Sequence, residues 1–120
     1  MSKKRFTLNG SVPKSLRDIA RDVVFFYARK HPTMTAQEIR DFFVNACSNV
    51  RIEHIVETEA EYHARDGQKS QKWTAKEVIT PLGEKLYVST QWRAKRPNDN
   101  FNQFKSIVNR RRWGKIVKII

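Results

Sequence analysis

The sequence predicts an α+β fold in a single domain that spans residues 1–120, with residues 1–12 as a candidate flexible segment. Apolar residues recur with helical spacing near both ends of the chain, and they alternate with polar residues in the middle. The predicted order is an N-terminal two-helix hairpin, a three-stranded antiparallel sheet, a C-terminal helix and a short strand. Two separate domains are not expected, because each half would be too small to bury much core.

The first predicted helix covers residues 15–30. From Leu16 to Tyr27 its apolar residues fall on one helical stripe. Ser15 is a suitable N-cap, and Pro32 ends the helix. The second predicted helix covers residues 36–47, and it opens on a Thr-x-x-Glu capping box.

An alternating stretch predicts a strand over residues 51–64. Asp66-Gly67 follows as a two-residue turn, and a second strand is expected over 70–80. In this hairpin, residue i faces residue 133−i. Opposite charges then meet in two pairs, and apolar residues meet in two more, which supports the register. The pairs are Glu57 with Lys76, Glu61 with Lys72, Ala60 with Trp73 and Ile55 with Val78. A helix over 50–64 is the alternative.

The remaining elements follow a second turn at Pro81-Leu82-Gly83-Glu84. A third strand is expected over 85–92 and a third helix over 101–112. Gly114 is a typical residue just beyond a helix end. The last short strand is expected over 115–120.

The charge of the chain indicates an acidic or polyanionic partner. The net charge is +12 and the isoelectric point about 10.3. Residues 81–120 contain ten basic and two acidic residues, whereas residues 50–80 contain five basic and six acidic ones. Such an excess is a statement about binding rather than about fold, and it favours nucleic acid.

Catalytic and metal sites are not expected. The strand prediction places Glu57, Glu59 and Glu61, beside His63, on the solvent face, where carboxylates lack the perturbed pKa values that acid–base catalysis needs. The spacing of Cys47, His54 and His63 fits no ordinary zinc site, and Cys47 is expected in the core. Phosphate-loop, serine-elbow and zinc-protease motifs are absent from the sequence. We therefore expect no enzyme activity, metal or cofactor.

The predicted nucleic-acid-binding surface lies in the basic C-terminal third. Arginine binds phosphate bidentately, and tryptophan can stack on bases or anchor the surface in the core. The residues of this surface are Trp92, Arg93, Lys95, Arg96, Lys105, Arg110, Arg111, Arg112 and Lys115.

A second docking mode uses the N-terminal helices. They resemble a helix-turn-helix in outline, and the Asp66-Gly67 hairpin would then be the wing of a winged-helix-like arrangement. Helix 2 offers few basic residues for such a role, so the C-terminal surface is preferred.

The function that these observations predict is nucleic-acid binding, with duplex DNA favoured over RNA. The alternative is a basic inhibitor or adaptor that docks on an acidic protein partner, and the third class is a small nuclease or toxin. No secretory leader or membrane span is expected, since the longest apolar run is only Val23 to Ala28. We expect a cytoplasmic protein associated with nucleic acid and no membrane partner.

Overall fold

The computed structural model of the protein describes residues 5–65, 75–94 and 99–119. Within these ranges the fold is α+β, as predicted, with four helices and two antiparallel sheets. The elements in chain order are β1 (Phe6–Leu8), α1 (Leu16–Lys30), α2 (Ala36–Ala46), β2 (Val56–Thr58), α3 (Glu59–Ala64), β3 (Ala75–Ile79), β4 (Lys85–Ser89), α4 (Asn100–Arg111) and β5 (Ile116–Lys118).

The larger sheet has the strand order β2-β4-β3. Its β3–β4 hairpin turns at Pro81 to Glu84, as predicted, and Gly83 adopts the left-handed φ of +81° that this turn requires. The Thr80 amide donates to the Glu84 carbonyl over 2.8 Å and closes the turn. Strand β4 ends at Ser89 rather than at residue 92.

The predicted hairpin between residues 51–64 and 70–80 is wrong. Strand β2 pairs with β4, so Glu57 faces Tyr87 and not Lys76. After Thr58 the chain turns into helix α3, because Thr58 and Glu61 form a second capping box. The alternative helix over 50–64 is therefore correct for residues 59–64 alone. Asp66-Gly67, Lys72 and Trp73 lie outside the described residues.

A second sheet pairs the two ends of the chain. Strand β1, which is not among the predicted elements, is antiparallel to β5. Asn9 and Gly10 both have positive φ and form the tight turn that follows β1. Because Phe6 and Leu8 are buried, β1 is part of the core.

The other helices match their predicted positions to within one residue at the start. In α2 the predicted capping box is present, since the Glu38 amide donates to the Thr35 hydroxyl over 3.1 Å. Helix α4 ends differently from the prediction. Arg112, not glycine, takes the left-handed conformation, with φ of 60°. Gly114 instead allows close packing, because a Cβ there would lie 2.8 Å from Leu8 Cδ1.

Candidate nucleic-acid interface

The start of α4 is fixed by a buried asparagine. The Asn100 side-chain amide donates to the carbonyls of Arg51 and Gln91, each over 3.0 Å, and its oxygen accepts from the Arg93 amide over 2.8 Å. One side chain thus joins three separate chain segments. A buried side chain with all these partners holds α4 in a defined position.

Trp92 belongs to the core rather than to the surface. Its indole nitrogen donates to the Ser89 carbonyl over 2.8 Å, and its ring packs against Phe101 and Phe104. The side chain is therefore unsuited to stacking on a base, although the sequence placed it in the binding surface.

The predicted basic residues do not form one cluster. Arg93 lies at the start of α4, whereas Arg110, Arg111 and Arg112 lie at its end. A helix of 12 residues separates these positions by roughly 18 Å. Lys105 lies between them, half-buried. Lys95 and Arg96 lie outside the described residues.

The end of α4 instead meets the end of α1, and aromatic side chains join the two. Tyr27 of α1 stacks on Phe42 of α2, with centroids 4.5 Å apart and planes at 15°. Trp113, just after α4, packs against Phe42 at 5.2 Å and against Phe43 at 5.1 Å. The rings of Tyr27, Phe42 and Trp113 line an open cleft of about 610 Å³.

Basic side chains surround this cleft. Lys30 and His31 contribute from the end of α1, and Arg111 and Arg112 from the end of α4. All four are exposed, as are the neighbouring Arg110 and Lys115. We call the five permanent cations, Lys30, Arg110, Arg111, Arg112 and Lys115, the basic cluster. Among residues 5–65, 75–94 and 99–119, no carboxylate forms an ion pair with any of them.

Compensation of helix dipoles does not account for this charge. The C-terminal end of a helix carries roughly half a negative charge, so two such ends amount to about −1. The basic cluster carries five positive charges. Most of its charge is thus available for a ligand.

Glu57, Glu59 and Glu61 do not form the solvent-exposed row that the sequence predicted. Glu57 is 5% exposed and accepts a hydrogen bond from Arg65 Nε over 2.8 Å. Glu61 accepts a hydrogen bond from Arg40. Burial raises the pKa of Glu61, but the hydrogen bonds from Thr58 and Arg40 outweigh burial, so the pKa is lowered overall. Only Glu59 of the three is exposed. The three carboxylates therefore have different environments: Glu57 is in a buried ion pair, Glu61 is in a helix cap and Glu59 is exposed.

Cys47 lies in the core, as predicted. Burial raises the pKa of its thiol to about 12, and the charge of Arg111 opposes this shift. A nucleophilic cysteine needs a lowered pKa, so this environment suits a packing role.

Two further findings concern the described residues. None of their helices combines the length and the apolar character needed to cross a membrane. They contain no group of three or more His, Cys, Asp or Glu side chains that could hold a metal ion.

The sequence indicated Trp113 as a possible stacking or packing anchor beside the arginines, but it did not reveal the contribution of Lys30, His31, Tyr27 and Phe42. The available signal was that α1 and α4 both end in basic residues beside an aromatic one.

Comparison of the chain with protein-family models, curated proteins and solved structures finds no match.

Proposed function

We propose that the protein binds nucleic acid, duplex DNA in preference to RNA, by placing phosphates against the basic cluster at the ends of α1 and α4. The observation that carries this proposal is the meeting of two basic helix ends, with five exposed cations and no carboxylate paired to them in the described chain. A polyanion relieves the repulsion among these cations, and it releases its own counterions on binding.

The chemistry of the side chains supports phosphate as the ligand group. Guanidinium groups supply a planar pair of donors that matches phosphate oxygens. The expected contacts are to the backbone of the nucleic acid, which position the protein without reading sequence. Arg93 would add a second, separate contact near the start of α4.

A binding assay with several ligands tests the proposal. Duplex DNA, a single strand and structured RNA would each be titrated at several salt concentrations. Five phosphate contacts predict that log K for the duplex falls with log salt at a slope of about −4 to −5, at roughly 0.9 per contact. No binding to the duplex at low salt, or a flat slope, would contradict the proposal.

An acidic polypeptide in the same assay tests the competing class of partner. We expect duplex DNA in excess to displace polyglutamate from the protein. If polyglutamate instead bound more tightly than DNA at equal salt, an acidic protein partner would replace nucleic acid as the favoured ligand.

A further inference from the structure

The cleft between the ends of α1 and α4 contains more than phosphate binding requires. Cations alone suffice for phosphates, yet three aromatic rings line this space, and its volume of about 610 Å³ lies within the range of roughly 300–1,000 Å³ common for small-ligand pockets. We propose that the cleft accepts one unpaired base of a single-stranded or frayed nucleic acid, stacked on Trp113. This inference rests on the proposed function and adds a site for one base to the phosphate contacts.

The Trp113 ring is partly exposed and is held in place by neighbouring rings, as a side chain that stacks on a base needs to be. It is half-buried, and the rings of Phe42 and Phe43 pack against it at 57° and 71°. These contacts fix the indole in place before any ligand arrives, which lowers the entropic cost of binding. Trp92, in contrast, is 7% exposed and cannot serve in this way.

The rings of Tyr27 and His31 line the same cleft. Tyr27 stacks on Phe42 and lies 4.4 Å from the ring of His31, which is exposed. The contacting rings of Phe42, Tyr27 and His31 thus end at an exposed side chain. Stacking of a base on such rings is tolerant of sequence, because every base has a π-face.

Positive charge lies over the Trp113 ring and along the cleft, where it would meet the phosphates of a nucleotide. The Arg111 guanidinium lies 5.7 Å from the centroid of the Trp113 ring. Lys30 lines the same cleft from the end of α1. A nucleotide in the cleft would thus meet a ring and positive charge together, which is the combination that single-strand-binding proteins use.

The test compares an oligothymidylate with an abasic strand of equal length, so that the phosphates are matched and only the bases differ. We expect the unmodified protein to bind the oligothymidylate about 5- to 150-fold more tightly, which is the stacking range for one base. In Trp113→Leu this ratio should fall to about one, whereas Trp113→Phe, which keeps a ring, should retain most of it.

A second readout does not depend on the folding of a variant. Ultraviolet crosslinking of the unmodified protein to oligothymidylate should attach the strand to the peptide that contains Trp113 or to that containing Phe42. Equal affinity for the two strands, or crosslinks confined to other peptides, would contradict the base site while leaving phosphate binding to the duplex intact. Failure of every nucleic acid to bind would contradict both proposals.

Discussion

Arg112 occupies a backbone conformation that favours glycine. Its φ of 60° and ψ of 35° place it in the left-handed region, which costs a non-glycine residue about 1–2 kcal/mol. Its amide donates to the Asn109 carbonyl, the Trp113 amide donates to the Val108 carbonyl, and the Asn109 side chain bonds to both backbone groups of Ile116, so the turn that ends α4 is held by other residues. The arginine side chain is thus not needed to end the helix. Strained positions of this kind tend to occur at functional sites.

Replacement of Arg112 by glycine should therefore separate stability from binding. We expect Arg112→Gly to raise the free energy of unfolding by about 0.5–1 kcal/mol, the relief of strain less the entropy of glycine, and to weaken binding to duplex DNA. Arg110→Gly removes the same charge within the helix, where glycine costs about 1 kcal/mol. Denaturant unfolding and a DNA titration measure both effects. A loss of stability in Arg112→Gly would mean that its side chain supports the fold.

At the scale of elements, β2 and α3 are joined by an ion pair in the core. Glu57 lies on β2, and Arg65 directly follows α3. Their side chains are only 6% and 17% exposed. Removal of the charge of one member breaks the attraction that offsets the cost of burying both charges, and this is strongly destabilising.

Glu57→Gln should consequently lower the free energy of unfolding by about 3 kcal/mol. Glu59→Gln is the matched control: it removes the same charge two residues away at an exposed position, and it should change stability by no more than about 0.5 kcal/mol. Denaturant titration of the two variants makes the comparison. Equal stabilities would show that the Glu57–Arg65 pair does not stabilise the junction.

Helix α1 is tied to β3 by the pair of Asp18 and Lys76. The hydrogen bond from Lys76 is the largest cause that lowers the pKa of Asp18, and burial opposes it. Since the folded pKa lies below the unfolded one, the pair stabilises the fold above about pH 4, and this contribution is lost as the pH falls through the folded pKa. Unfolding measured between neutral pH and pH 2 should show a smaller loss on acidification in Asp18→Asn than in the unmodified protein. An unchanged pH dependence would contradict this role.

At the scale of the whole molecule, local signals predicted the long helices well. Helices α1, α2 and α4 follow apolar stripes, and α2 also has the predicted capping box, whereas the Ser15 side chain at the start of α1 makes no capping hydrogen bond. Residues 52–62 alternate in polarity, and this pattern concealed the Thr58-x-x-Glu61 cap that starts α3. The pairing of β1 with β5 joins the two ends of the chain, so no local pattern could reveal it.

The candidate site could be predicted only in part, because it too depends on contacts between residues that are far apart in the chain. The arginines at the end of α4 were visible in the sequence as a charge run. Their proximity to Tyr27 and Lys30 depends on a contact between residues more than 80 positions apart, such as Tyr27 with Trp113 at 6.2 Å. Spacing along the chain predicts the faces of elements, but it does not predict which helix ends meet.

The central claim is that phosphates bind at the joined ends of α1 and α4, and matched charge variants test it most directly. Arg111→Gln/Arg112→Gln removes two charges from the basic cluster. Arg17→Gln/Arg51→Gln removes two exposed charges elsewhere, and it avoids Arg21 and Arg40, which bond to Glu77 and Glu61. For duplex DNA, we expect the slope of log K against log salt to flatten by about 2 in the first variant, at roughly 0.9 per lost phosphate contact, and by less than about 0.5 in the second. Equal flattening in both variants, or a larger effect of the second, would contradict the claim.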